Sequence, residues 1–346
     1  MTMSPRQSDA QATASDTAEP DLAEIPAYVP PVPPLADTDE AVRAILPMID
    51  ADDTPVAADT ERACGYRYYQ KAYLIQLKTA DGGIHLIDPV AVSPTAFADL
   101  DARLHGRLWI LHAASQDLPS LREAGFTPQH LFDTELAARL LGRPHVGLGA
   151  LIEDVLGVRL AKDHGNSDWS QRPLPQSWLS YAAGDVEFLI ELAAALRREL
   201  VEAGKLEWAE QEFDHVIHQP PAEPKAHPWR SLTDLRSVHS RRGLAVAKGL
   251  WRIRERLAQE ADLSPHRIIN DRAITAVAAR VTESSVAAAK LTGRDWRREV
   301  IGADVLQFRA AIDEVGTMDE SDLPPWRPPR HGPPSPGLWE RRQPAA

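Results

Sequence analysis

Two acidic residues in the segment VAADTE are spaced so that both side chains can serve one site. Asp59 and Glu61 are two residues apart, and side chains with that spacing in a β-strand project from the same face. Like charges this close together are unfavourable unless a cation neutralises them or one carboxyl group keeps its proton. Carboxylate oxygens are preferred ligands of hard divalent cations. The pair therefore indicates a metal site, with an exposed strand end as the alternative.

Two further segments add acidic residues in the same half of the chain. Asp117 follows the apolar segment LWILHAA and precedes a proline-containing helix start, a position that an ordinary helix N-cap also explains. Tyr181 and Asp185 are four residues apart, which places a phenol and a carboxylate on one face of a helix. A tyrosine packed at the edge of the core is the alternative interpretation of that pair.

The predicted elements place these residues in one α/β domain with a mixed sheet. Apolar alternation predicts strands over residues 56–61, 72–79 and 84–88 with a tight hairpin, and helical spacing predicts one long helix over 174–200. The acidic residues then lie on a strand, at a strand exit and on a helix. Four carboxylates suit two divalent ions, and two-metal sites clamp the attacking and leaving oxygens of phosphoryl displacement.

The motifs resemble those of the DEDD exonucleases with a tyrosine in the third motif, and most closely those of the ribonuclease D family. The histidine subclass would carry histidine five residues before the last aspartate, where this sequence has Ser180. The resemblance covers about residues 45–310, and five segments carry it: VAADTERACGYRYYQKAYLIQL, LHAASQDL, FDTELAARLLG, LGALIEDVLGVRLAKDHGNSDWSQRPLP and SWLSYAAGDVEFLIEL.

The resemblance implies a ribonuclease H-like exonuclease domain with a mixed central sheet. It implies release of nucleoside 5′-monophosphates from the 3′ end of RNA, with tRNA precursors and other structured RNAs as expected substrates. It further implies two divalent cations, Mg²⁺ or Mn²⁺. Tyr181 would position or deprotonate the attacking water, and its reference pKa of about 10 favours positioning. The metal ligands that the resemblance implies are Asp59, Glu61, Asp117 and Asp185.

Other polar and aromatic residues in the resembling segments are candidates for RNA contacts. Trp169 could stack on a base, and Lys162 or Arg172 could meet a phosphate. Gln116, beside the acid of the second motif, joins this group. A packed indole and structural salt bridges are the alternative interpretations.

Charge is distributed unevenly along the chain. The net charge is −12, yet residues 1–224 carry −18 and residues 225–310 carry +8. A basic segment beside an acidic one favours nucleic-acid binding by the former and metal-binding carboxylates in the latter. A solvated arginine-rich surface is the alternative.

The basic segment contains the run WRIRERLAQEADLSPHRIINDRAITAVAA, which resembles the HRDC domain, a small helical module. That resemblance implies binding or positioning of nucleic acid. Phosphate contacts are expected from Arg241, Arg242, Lys248 and Arg252.

These patterns predict five regions. They are a disordered acidic and proline-rich leader (1–40), the exonuclease domain (41–217), a proline-rich linker (218–229), the helical HRDC domain (230–312) and a proline-rich disordered tail (313–346). A single cysteine, with no apolar run of signal-peptide or membrane-spanning length, favours a cytoplasmic protein without a membrane partner. The sequence predicts no particular protein partner.

Two other functions remain open on the sequence alone. One is a DNA 3′–5′ exonuclease of the same subclass, because the motifs do not distinguish ribose from deoxyribose. The other is a catalytically silent RNA-binding scaffold, although the intact set of four acids and Tyr181 disfavours it.

Overall fold

The computed structural model describes residues 27–50, 54–161, 165–220, 223–292 and 302–326. Within these ranges six strands form one mixed sheet in the order β1-β4-β3-β2-β5-β6. Strand β2 is antiparallel to β3 and parallel to β5, so the predicted acidic strand lies inside the sheet. The strands are β1 (Leu35–Ala36), β2 (Val56–Arg62), β3 (Ala72–Thr79), β4 (Gly83–Ile87), β5 (Leu108–Leu111) and β6 (His130–Asp133).

Helices cover the sheet and continue into a second, all-helical region. The first group is α1 (Asp39–Asp50), α2 (Pro94–Leu104), α3 (Leu118–Ala124), α4 (Thr134–Leu141), α5 (Leu148–Leu156), α6 (Gln176–Glu187), α7 (Leu189–Glu202) and α8 (Leu206–His218). The second group is α9 (Arg241–Ala261), α10 (Pro265–Ile268), α11 (Asp271–Ala279) and α12 (Gly302–Gly316). Short 3₁₀ helices occupy Pro228–Ser231, Leu235–Ser237 and Glu320–Asp322.

Each region has its own apolar core. Every residue of β3 is buried, as expected for a strand covered on both faces, and α6 packs across β2, β3 and β4. In the helical region α9 packs against α10, α11 and α12. The predicted α/β domain followed by a helical domain is therefore confirmed. Among the helices described, none combines the length and apolar character that crossing a bilayer requires.

The single long helix predicted over residues 174–200 is wrong. Two helices, α6 and α7, meet at Phe188, whose φ of −114° and ψ of 9° interrupt the helical path. Val186 near the end of α6 and Leu189 at the start of α7 are buried in the same core, so the apolar period continues across the break and does not reveal it. The ring of Tyr28 packs edge-on against Phe188, with 5.0 Å between centroids.

The folded regions also extend beyond two of the expected boundaries. Strand β1 and the start of α1 precede residue 41, and the backbone N–H of Tyr28 donates to the carbonyl oxygen of Arg159 at 2.7 Å. At the other end α12 continues to Gly316, and Leu323 is buried. The expected leader and tail therefore include ordered residues. Their remaining parts, 1–26 and 327–346, lie outside the described residues.

Candidate active site

The sheet and α6 bring three acidic side chains into one small volume. Asp59 and Glu61 lie on one face of β2, and α6 covers that face with Leu179, Ala182 and other small or apolar residues. The helix α6 thereby places the side chain of Asp185 close to Asp59 and Glu61 of β2. One carboxylate oxygen from each of the three acids lies within 4.8 Å of the other two.

Asp117 lies at the neighbouring strand exit, close enough for its negative charge to raise the pKa values of Asp59, Glu61 and Asp185. It occupies the N-cap position of α3, yet its side chain makes no capping hydrogen bond. Its Oδ1 instead accepts a hydrogen bond of 2.8 Å from the hydroxyl of Thr60, which lies between the two acids of β2. The alternative of an ordinary N-cap therefore does not account for this carboxylate, which is 5% exposed.

The turn that carries Asp117 is fixed by Asp133, a residue for which the sequence analysis predicts no role. Both carboxylate oxygens of Asp133 accept backbone hydrogen bonds from the exit of β5, at 3.1 Å from Ala113 and 2.8 Å from Ala114. Asp133 also caps α4. Ala113 has a φ of +57°, a conformation that costs an L-residue free energy and needs support from its surroundings. An aspartate between a strand and a helix, within FDTEL, was the available signal.

Burial and mutual repulsion shift the acidic groups. Burial, followed by neighbouring negative charges, raises the pKa of Glu61 to about 9 and that of Asp185 to about 7, although the hydrogen bond from Tyr181 opposes the latter shift. Burial also raises the pKa of Asp117 to about 6, against the hydrogen bond from Thr60, and raises that of Asp59 well above its ordinary value. A bound cation would favour the charged forms. The donors are hard oxygens, so the residues fit a divalent metal ion.

Tyr181 faces the same group of carboxylates. Its hydroxyl donates a hydrogen bond to Asp185, and burial followed by the charges of Asp185, Glu61 and Asp59 raises the pKa of the phenol. Tyr181 therefore keeps its proton and acts as a donor in this structure. A Cβ added at Gly165 would lie 3.3 Å from the Tyr181 hydroxyl oxygen, so glycine permits the close approach of that backbone.

The structure corrects two of the predicted RNA contacts near the site. Trp169 is fully buried, and its ring packs 5.1 Å from that of Trp178, so it belongs to the core and not to a base-stacking surface. The guanidinium of Arg172 donates to both carboxylate oxygens of Asp88 at 2.6 Å and to the carbonyl oxygen of Tyr73 at 2.8 Å. These bonds give Arg172 a structural role.

Two other predicted contacts near the site have different outcomes. Gln116 is exposed beside Asp117, and its contact with RNA stays a prediction. Lys162 lies outside the described residues.

The basic residues of α9 divide into two kinds. Arg241 donates to the carbonyl oxygens of Glu320 and Leu323 at 2.9 and 2.8 Å, and Arg242 donates to that of Val315 at 2.6 Å. These two guanidinium groups hold the end of α12 and the segment after it, which corrects their expected role in phosphate binding. Lys248 and Arg252 are exposed, and Arg252 pairs with Glu314 at 3.4 Å. Their contact with phosphate stays a prediction.

Comparison with known proteins assigns both regions of the chain. Residues 35–201 match the 3′–5′ exonuclease family, and residues 243–308 match the HRDC domain. Ribonuclease D of Granulibacter bethesdensis is 32% identical over 281 residues, which cover 78% of this chain and 68% of that protein. The chain belongs to the ribonuclease D family.

Solved structures agree with this assignment to the ribonuclease D family. A crystal structure of a protein from Bifidobacterium adolescentis has 35% identity and a TM-score of 0.77, covering 90% of this chain and 79% of that one. The crystal structure of Escherichia coli RNase D has 29% identity and a TM-score of 0.65, covering 84% and 77%.

Membership of the ribonuclease D family establishes the activity and the domain types. The chain is a 3′–5′ exoribonuclease with a ribonuclease H-like exonuclease domain, a C-terminal HRDC domain and RNA as its substrate. Exonucleases of this type use divalent metal ions, and the acidic group on β2 and α6 is the corresponding feature of this chain.

Proposed function

We propose that two divalent cations, Mg²⁺ or Mn²⁺, bind at this acidic group and that Tyr181 orients the attacking water. The observation that carries the proposal is the convergence of carboxylates from β2 and α6 within 4.8 Å. The negative charge of Asp117 also acts on these carboxylates and raises their pKa values. The residues that would hold the ions are Asp59, Glu61, Asp117 and Asp185.

The chemistry of the donors supports this assignment. When bound, a pair of divalent ions supplies the positive charge that activates water and stabilises the departing oxygen. Tyr181 donates its single hydroxyl proton to Asp185, so its oxygen would accept a hydrogen bond from the attacking water and fix the direction of that water. Water attacks the terminal phosphodiester, and the bond to the 3′ oxygen of the preceding nucleotide breaks. The products are a nucleoside 5′-monophosphate and a chain with a new 3′ hydroxyl.

We further propose that the substrates are structured RNAs with short single-stranded 3′ ends, tRNA precursors among them, in the cytoplasm. The similar Escherichia coli RNase D is described as an exoribonuclease involved in structured RNA processing, and its structure matches 84% of this chain. The carboxylates lie beneath α6, so the terminal phosphodiester must reach them without a paired strand beside it. A single-stranded 3′ end can do this, whereas a duplex end cannot.

Single-nucleotide gels of a 5′-labelled tRNA precursor test the proposal. We expect a ladder that shortens from the 3′ end with Mg²⁺ or Mn²⁺ and disappears with excess chelator. Asp59→Asn removes one ligand charge at nearly constant size and abolishes the ladder, whereas Asp99→Asn, exposed on α2, leaves it intact.

Each alternative function predicts a different gel. Intact RNA under every condition, from folded protein that still binds it, would instead establish an RNA-binding scaffold. Faster degradation of a matched DNA strand would establish a DNA exonuclease.

A cleft in the HRDC domain supports a path for the RNA strand. It is open, has a volume of about 1030 Å³, and is lined by Arg230, Arg236 and Arg272 with one acid, Asp234. Trp326 stands at its edge and is 51% exposed. We infer that the RNA backbone binds here, because arginine contacts phosphates and an exposed indole stacks on bases.

A further inference from the structure

The loop between β2 and β3 leaves the catalytic strand directly after Glu61 and Arg62 and lies against the HRDC domain. We call residues 63–71 the docking loop. Oδ1 of Asp262, at the end of α9, accepts hydrogen bonds from the backbone N–H groups of Tyr68 at 3.1 Å and Tyr69 at 3.2 Å. The backbone N–H of Ser264 donates to the carbonyl oxygen of Tyr66 at 3.0 Å. The HRDC domain thus fixes the loop backbone at three points.

Side chains strengthen this attachment. The guanidinium of Arg267 lies 4.4 Å from the ring centroid of Tyr66, and its Nε donates to the carbonyl oxygen of Gly65 at 3.2 Å. Gln259 donates to the hydroxyl of Tyr68 at 2.9 Å, and the ring of Tyr68 packs against the HRDC core. A loop without secondary structure therefore takes much of its conformation from the second domain.

The same loop contacts the segment that leads into α6. Arg67 donates from Nε to the hydroxyl of Ser170 at 2.8 Å. Tyr66 packs against a buried cluster that contains Trp169, Leu179 and Ala182, and Tyr181 packs against that same cluster. The contacts form a continuous path from the HRDC domain, through the docking loop, to the surroundings of the Tyr181 phenol.

We propose that the HRDC domain acts on the chemical step itself, because by holding the docking loop it fixes the segment that positions Tyr181. Asp262, Arg267 and Ser170 are then positioning residues, which touch neither substrate nor metal ion. The inference rests on the proposed role of Tyr181. A domain that served only to hold RNA would change the affinity for long substrates and leave the reaction of a single nucleotide unaltered.

The p-nitrophenyl ester of uridine 5′-monophosphate separates these two roles, because its hydrolysis needs the active site but offers no RNA chain to the HRDC domain. In the full-length protein, Asp262→Gly removes the carboxylate and suits the φ of +46° at that position. We expect kcat on the ester to fall roughly 10- to 100-fold, the effect of a small misplacement of a reacting group, with KM unchanged. Asp262→Asn keeps an acceptor oxygen and restores kcat.

Matched variants test the path. Arg267→Met and Ser170→Ala interrupt it at its two ends, and Ser170→Ala deletes only a hydroxyl, so folding is preserved. Asp313→Ala, at an exposed position on α12, is the control and leaves kcat unchanged. In a Tyr181→Phe background, Asp262→Gly should cause little further loss, because residues that act through one group are not additive.

Two results would overturn the inference in distinguishable ways. Unchanged kcat on the ester in Asp262→Gly and Ser170→Ala, with a slow Tyr181→Phe enzyme, would refute coupling while leaving the proposed function intact. A fully active Tyr181→Phe enzyme would instead refute the role of Tyr181 on which both proposals depend.

Discussion

Asp185 carries a stability penalty that the active site imposes on the fold. Burial and nearby carboxylates raise its pKa to about 7, so the charged form is less favourable in the folded than in the unfolded protein at neutral pH. We expect Asp185→Asn to raise the free energy of unfolding by about 2 kcal/mol in chelator while hydrolysis is lost. Thermal unfolding in chelator and RNA hydrolysis with Mn²⁺ measure the two effects.

Added Mn²⁺ provides the matching control. It should stabilise the unsubstituted protein, because a ligand that binds only the folded state shifts unfolding by mass action, and it should stabilise Asp185→Asn much less. Asp313→Asn should behave like the unsubstituted protein in both conditions. A lower melting temperature of Asp185→Asn in chelator would contradict the penalty.

His112 predicts a pH dependence of stability that is separate from catalysis. Thr134 donates its hydroxyl proton to the carbonyl oxygen of Leu111 and accepts from Nδ1 of His112 at 2.9 Å. Burial lowers the pKa of His112 from 6.5 to about 4. Between pH 6.5 and pH 4 the His112 imidazole is therefore protonated in the unfolded state and neutral in the folded state. Stability contributed at this position is present above pH 6.5 and falls as the pH drops toward 4.

The loss should reach about 3 kcal/mol at the acidic end of that window. His112→Asn keeps a donor near the Nδ1 position but cannot titrate, so its urea-unfolding free energy should fall less between pH 7 and pH 4.5. Parallel pH profiles of the two proteins would contradict this assignment.

At the residue scale, sequence spacing predicts which functional residues lie together when they share one strand or helix. It does not predict which residues the tertiary structure brings together from distant parts of the chain. Asp59 with Glu61, and Tyr181 with Asp185, follow from strand and helix periods. The use of Asp117 does not, because its sequence position is that of an N-cap and its actual donor, Thr60, is distant in sequence. The same limit explains Arg241 and Arg242, whose carbonyl partners lie more than 70 residues later.

At the scale of elements, hydrophobic periodicity predicts whether a helix or strand exists and which of the two it is. It predicts less well where a helix is interrupted. The alternation of apolar and polar residues predicts the strands of the hairpin. The break between α6 and α7 at Phe188 has no glycine or proline that would indicate it in the sequence. The two-residue strand β1 is too short for any pattern. Its pairing with β4 depends on a tertiary neighbour, which a local sequence window does not contain.

Two glycines on α9 offer a matched test of helix packing. A Cβ at Gly243 would lie 2.7 Å from the carbonyl oxygen of Ala278 on α11, whereas one at Gly249 would lie 3.7 Å from Ala311 on α12. Gly243→Ala should destabilise the protein by about 1–3 kcal/mol through overpacking. Gly249→Ala should be neutral or stabilising by up to about 1 kcal/mol through helix propensity. Urea unfolding compares them, and equal gains in stability would refute the close approach of α9 and α11.

At the scale of the whole molecule, the acidic first half contains the proposed metal-binding carboxylates, and the basic HRDC region contains the cleft proposed to bind RNA. The cleft arginines Arg236 and Arg272 are expected to contact phosphates, since both are exposed. Replacing both with alanine should weaken RNA binding and lower the slope of log affinity against log salt by about 1.4. Fluorescence anisotropy with a single-stranded RNA at several salt concentrations measures it.

The charge-matched control removes two exposed arginines from the exonuclease domain, Arg139 and Arg197. That double variant should keep the salt slope of the unsubstituted protein. Equal slopes for the cleft variant and the unsubstituted protein would place the RNA on another surface, of which Lys248 and Arg252 would be the first to test.

The contact of Tyr28 with Phe188 and with the backbone of Arg159 has a consequence for synthesis on the ribosome. Tyr28 leaves the exit tunnel more than a hundred residues before its partners. The first described residues of the domain therefore cannot complete their packing until α6 and α7 have been synthesised. Contacts this distant in sequence form late, because loop closure must precede them. Asp185 lies on α6 and is therefore synthesised at the same late stage. A nascent chain therefore acquires its nuclease centre only when the exonuclease domain is almost fully translated, which limits the time during which an active nuclease remains tethered to the ribosome beside its own messenger RNA.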